Sequence, residues 1–128
     1  MGIVRGGDAE YDEGKPTLEE LTSRIEKVIA NGLKSDSTTL KLSGKYYSTD
    51  EITLLARSSQ VNQVRVLDLG DNQLGDEALK ILSESTQFLN LEELILGVNF
   101  ITDKGMKEWA GSSNTTLKNI KTLVLSDN

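Results

Sequence analysis

Ser126-Asp127-Asn128 and the carboxylates Asp68, Asp71 and Asp76 come closest in this chain to a chemical motif. Ser-Asp-Asn is one part of a serine-acylase signature, but the nucleophile half needs Ser-x-x-Lys, and that tetrad occurs nowhere. The three carboxylates would suit a hard cation. Their spacing fails the EF-hand pattern, which would require Gly75 to serve as an oxygen ligand. Cys and His are both absent, which removes disulfides, N/S zinc sites, Ser-His and Cys-His dyads and any imidazole switch. No phosphate-cradling glycine loop is present. The expectation is a chain that is not an enzyme, with no catalytic, cofactor-binding or metal-binding residues and no cofactor. Trp109 invites a ligand reading, yet its column also holds Leu55 and Leu82, so it is read as core. Asn114-Thr115-Thr116 matches a glycosylation acceptor and is read as a plain polar loop.

Composition narrows the partners. At 128 residues, with 37% hydrophobic and 27% charged, the chain has the makings of one soluble domain. A formal net charge of −6 and a pI near 4.7 repel phosphate backbones, so no nucleic acid is expected. No run is long and apolar enough for a membrane, and the opening residues turn acidic where a signal peptide needs an apolar stretch. A cytoplasmic setting follows as the expectation, or a host cytosol if the chain is a secreted effector.

Three segments are expected along the chain. Residues 1–16 are glycine-rich and acidic without periodicity, and read as a flexible arm. Residues 17–37 hold a helix and a linker. Thr17 and Glu20 form a capping box, Leu18, Leu21, Ile25, Val28 and Ile29 share one face, and Gly32 is read as a left-handed stop. Residues 38–128 repeat themselves. Leu40, Leu67, Leu94 and Leu123 align at steps of 27, 27 and 29, followed two residues on by Leu42, Leu69, Leu96 and Leu125. Further columns are Ile52, Leu79 and Met106, then Leu55, Leu82 and Trp109, then Val61, Phe88 and Leu117, then Val64, Leu91 and Ile120. Asn72, Asn99 and Asn128 close each Leu-x-Leu pair, with Lys45 in their place in the first unit.

The pattern in Val64-x-x-Leu67-x-Leu69-x-x-Asn72 and Leu91-x-x-Leu94-x-Leu96-x-x-Asn99 resembles a leucine-rich repeat. With a helical second half per period, it is similar to the ribonuclease-inhibitor-like class. The resemblance implies an α/β fold, a right-handed leucine-rich-repeat solenoid forming a short horseshoe arc. A parallel β-sheet lines its concave face, helices its convex face, and the first helix caps the end. Three units are full and the fourth is truncated.

Strand side chains alternate between faces, so the leucines point inward and the residues between them outward. The candidate partner-binding residues are therefore Val66, Asp68, Asp71, Glu93, Ile95, Val98, Thr122 and Val124. The Ser43, Gly70, Gly97 and Ser126 column is read as a bare strip where a partner approaches the backbone. Asn72, Asn99 and Asn128 are expected to form a structural ladder serving buried backbone groups, and Lys45 to mark a wetter terminal repeat. The resemblance implies a non-enzymatic protein-interaction module with a protein partner. Two alternatives stand beside it: a regulator that accelerates GTP hydrolysis, as some relatives of the class do, and the N-terminal fragment of a larger immune sensor or effector. Arg5 and Arg57 sit on no recognisable finger loop. An uncapped last strand near Lys121–Ser126 also predicts self-association.

Overall fold

The computed structural model describes residues 16–111 and 119–128. The arm over residues 1–15, Asn114-Thr115-Thr116 and Leu117 lie outside them. Helix α1, Leu18–Gly32, starts at a capping box in which Thr17 and Glu20 satisfy each other's backbone N–H groups. Strand β1, Thr39–Lys41, follows, and then α2, Thr49–Arg57, which opens on a second capping box from Ser48 and Glu51. A 3-10 turn at Ser59–Val61 leads to β2, Val66–Asp68. Helix α3, Asp76–Ser83, strand β3, Glu93–Ile95, helix α4, Asp103–Ala110, and strand β4, Thr122–Val124, complete the order.

The strands form one sheet in the order β1-β2-β3-β4, parallel throughout. Leu40, Leu67, Leu94 and Leu123 are direct partners across it, so the sequence period and the strand register coincide. Consecutive helices pack side by side in the same order. The core lies between the two layers. Leu40, Leu67, Leu69, Leu94 and Leu96 are at 0% exposure, met from the helix side by Ile52, Leu55, Leu79 and Leu82 at 0–1%. Val61 and Phe88, also at 0%, fill the stretch where the chain turns back from helix to strand.

Helix α1 seals the β1 end. Its Ile25 and Ile29 are buried at 3% and 1%, and it packs on β1, α2 and the Ser59–Val61 turn. Polar contacts fix its position. Ser58 Oγ donates to the Glu26 carboxylate, and Gln60 Nε2 donates to the Glu26 carbonyl at 2.9 Å.

Two details of α1 differ from the sequence expectation. Leu18 is 72% exposed and does not join Ile25 and Ile29 in the core. Gly32 is no left-handed stop: the helix runs through it and ends on Leu33 at φ −98°. A Cβ on Gly32 would come within 2.7 Å of Leu40 Cδ1, so glycine is there to let the helix approach β1. Trp109 is partly buried and packs against the core, at the less covered end.

Asp76, at the first turn of α3, ties that helix to the next. Its carboxylate accepts both the hydroxyl and, at 2.8 Å, the backbone N–H of Thr102, the N-cap of α4. Gly105 leaves the space this requires, since a Cβ there would sit 2.2 Å from Asp76 Oδ1. The Thr102 hydroxyl, followed by its N–H, holds the Asp76 carboxyl below the ordinary aspartate range. A carboxylate depressed on folding adds stability that is present above its unfolded pKa and lost as pH falls through the folded value. The stability gap between wild type and Asp76→Asn, read by urea unfolding, should therefore be full at neutral pH and close progressively below about pH 4.

Candidate partner-binding face

The face of the sheet turned away from the helices carries the residues between the leucines. Register places Thr39, Val66, Glu93 and Thr122 in one row and Lys41, Asp68, Ile95 and Val124 in the next. Of the eight candidate residues, six lie on strands and stand together here: Val66, Asp68, Glu93, Ile95, Thr122 and Val124. Thr122 is exposed and the other five are half-buried. Asp71 and Val98 are separate from them, on the turns that leave β2 and β3, and both are exposed.

The turn row has a backbone property that the hydrophobic pattern did not reveal. Gly44, Asp71, Val98 and Asp127 all take left-handed conformations, with φ of 66°, 54°, 56° and 60°. Glycine and aspartate tolerate this region, whereas a β-branched residue in it is an outlier. Val98 is that outlier, and its side chain is 52% exposed. Gly and Asp recurring at one offset were the signal available in the sequence. Two exposed aromatics beside the same turns were also missed: Tyr46 at 82% and Phe100 at 65%. Phe100 stands two residues after Val98, where the chain leaves the turn beside Gly75.

The glycine strip is no open window. A Cβ on Gly97 would lie 3.1 Å from Ser126 Oγ and 3.3 Å from its carbonyl, and one on Gly70 would lie 3.2 Å from Asp68 Oδ1. A Cβ at either glycine would thus be tight against atoms of the sheet itself. Gly70 N–H also donates to Asp68 Oδ1 at 2.9 Å, which turns that carboxylate toward its own backbone.

Beneath the turns, the three asparagines act backward along the stack. Asn72 Oδ1 accepts the N–H groups of Lys45 and Tyr47 at 3.0 and 3.1 Å. Asn99 Oδ1 accepts those of Asn72 and Leu74 at 3.1 and 2.8 Å, and Asn128 Oδ1 that of Ile101 at 2.9 Å. Each Nδ2 donates to a leucine carbonyl of its own unit and one of the preceding unit. For Asn99 these are Leu96 and Leu69, both at 3.1 Å. Lys45 is exposed where Asn72 and Asn99 are buried, as a wetter end unit requires, and what lies behind β1 is α1, not another strand.

Charge on this side is mixed. Asp68 and Glu93 lie on β2 and β3, Asp71 and Asp127 on the turns after β2 and β4, and Lys41 and Lys45 on and after β1. Glu92 holds Lys121 at 3.5 Å and Arg65 at 3.9 Å, both largely exposed and therefore weak pairs. Among the described residues no group of three or more His, Cys, Asp or Glu could hold a metal ion. No helix among them is long and apolar enough to cross a membrane.

No protein-family model matches the chain, and no curated protein sequence does. Among solved structures it is similar to the tropomodulin C-terminal domain of Caenorhabditis elegans, with a TM-score of 0.55 and 15% identity. The match covers 86% of this chain and 64% of that one. At that identity the likeness concerns the fold alone: an α/β arrangement with a four-stranded parallel sheet.

Three expected outcomes follow from the turns. Asn99→Ala strands the buried N–H groups of Asn72 and Leu74, while the Leu69 and Leu96 carbonyls keep Asn72 and Asn128 as donors, and should lower unfolding stability by about 3 kcal/mol. Asn128→Ala, at an exposed position, should cost about 1 kcal/mol, both read from urea midpoints. Val98→Asn removes the β-branched strain and should raise stability by about 1 kcal/mol in the same measurement.

Proposed function

We propose that the chain is a leucine-rich-repeat module of the ribonuclease-inhibitor-like type, and that it works by binding a protein partner on the concave face of its arc, without catalysis. Stacked units of this kind present an extended rigid surface, which suits recognition. The observation that carries the reading is a pair of exposed apolar side chains in the third unit, Val98 on the turn and Phe100 just after it, following the half-buried Ile95 of the strand, in a region that also carries Asp68, Asp71, Glu93 and Asp127. Exposed apolar side chains gathered in one place mark interaction surfaces. Val98 adds weight, because its strained backbone makes the fold less stable than asparagine or glycine there would. The partner that fits is a basic protein surface with an apolar anchor.

Ile95→Asp combined with Val98→Asp tests this. Both side chains lie outside the core, so circular dichroism and the unfolding midpoint should show a retained fold. Affinity for a partner isolated on the immobilised wild-type chain should fall at least about tenfold, the worth of one well-buried contact. Equal affinity in a folded double variant places the site elsewhere.

A further inference from the structure

One row of outward residues changes character as it crosses the sheet. Lys41, Asp68, Ile95 and Val124 are direct partners on successive strands, and they read basic, acidic, apolar, apolar. Lys41 is exposed and the other three are half-buried. In the adjoining row Glu93 lies on the strand next to Asp68, one position off its level, so a second carboxylate stands diagonally beside the first. Among the described residues no ion pair engages Lys41, Asp68 or Glu93. Asp68 Oδ1 accepts the Gly70 N–H at 2.9 Å, which fixes the carboxylate on its strand, and Oδ2 has no partner among the described residues.

We propose that this row receives an α-helix of the protein partner, laid across the strands, with an acidic, a basic and two apolar residues at successive turns of one face. The inference rests on the partner-binding reading above and names the shape and chemistry of what binds. Spacing selects the helix. Neighbours in the row are one strand apart, about 4.8 Å. A helix returns a side chain to the same face once per turn, about 5.4 Å, at i, i+4, i+7 and i+11. An extended chain does so at every second residue, about 6.7 Å. Over two strand intervals the helix drifts from the row by about 1 Å and the extended chain by about 4 Å. Only the helix keeps step.

Charge then fixes the order of residues on that helix. An acidic group opposite Lys41 and a basic group opposite Asp68, with Glu93 as its diagonal neighbour, are both attractive. Exchanging the two sets like charges against each other at both positions, which disfavours the wrong partner more than it weakens the right one. The third and fourth turns meet Ile95 and Val124, where aliphatic side chains leave water together. Anchors at i, i+4 and i+7 are how a helix is recognised by a surface in general, and here the register of the strands supplies their counterparts.

A displayed library of alanine-rich peptides of about 18 residues, long enough to be helical, tests the proposal on the immobilised 128-residue chain. Positions i, i+4, i+7 and i+11 are each drawn from Glu, Arg, Leu and Ser. The order Glu-Arg-Leu-Leu, in one chain direction or the other, should be enriched. Its exchange, Arg-Glu-Leu-Leu, should bind at least about tenfold more weakly by fluorescence anisotropy. Lys41→Glu combined with Asp68→Lys should invert that preference. If circular dichroism shows this pair to be unfolded, Lys41→Glu alone, at an exposed position, should still replace Glu by Arg at the position opposite it. A proline placed between i+4 and i+7 breaks a helix and leaves an extended chain intact, so it should weaken binding at least about tenfold. Enrichment of no order, the same order on the inverted chain, or undiminished binding of the proline peptide overturns the proposal. So does a dimer of the chain that Lys41→Glu dissociates in sedimentation equilibrium, since a second copy then holds the face. The two readings fail separately: partner capture that falls with Ile95→Asp and Val98→Asp but ignores the Lys41 and Asp68 exchange keeps the binding face and removes the helix.

Discussion

A parallel sheet whose every strand ends in a tight turn must satisfy the backbone groups that the turn strands beneath the surface. Here one side-chain amide per unit does so. Asn72, Asn99 and Asn128 each offer an acceptor to the preceding unit and donors to both units, which few other side chains can do at once. Since each amide reaches backward, a unit's turn is complete only when the next unit is in place. Register is set in the same act: the amide can bridge only if Leu67 lies beside Leu94, and Leu94 beside Leu123.

Burial follows the same logic of neighbours. A single unit has one apolar edge toward each side and hides neither by itself. The two middle layers reach essentially zero exposure, the first relies on α1, and the last is only half covered. Side-chain pairs between units reinforce this stacking off the sheet. Asp76 braces α3 against the start of α4, and Ser85 Oγ donates to the Ala56 carbonyl at 2.6 Å across the preceding interval. The polar contacts between units thus run along three lines: the turns, the helix starts and the returning loops.

The surface this leaves is shaped by the turns as much as by the strands. Left-handed residues at one offset carry the chain out of the sheet and set Asp71, Val98 and Asp127 at its rim. Aspartate answers the backbone requirement there. Valine does not, and its neighbours Ile95 and Phe100 share its apolar character.

From the residues alone one could derive the period, the alternation that turns leucines inward, both capping boxes, the asparagine column and the rows of outward strand residues. All of these depend on spacing along the chain, and spacing is what a sequence records. Tertiary structure decided the rest. Gly32 looked like a stop and proved to be a point of close approach, because only the position of Leu40 in space shows that a methyl group would not fit. The glycine strip looked open and is crowded by Ser126, a residue 29 positions from Gly97. Asp76 stood in the sequence as one of three spaced carboxylates and is a brace, since its partner Thr102 arrives from the next unit. The backward action of the asparagines and the strain at Val98 depend on which atoms neighbouring units bring together, a relation in three dimensions that no order of residues states by itself.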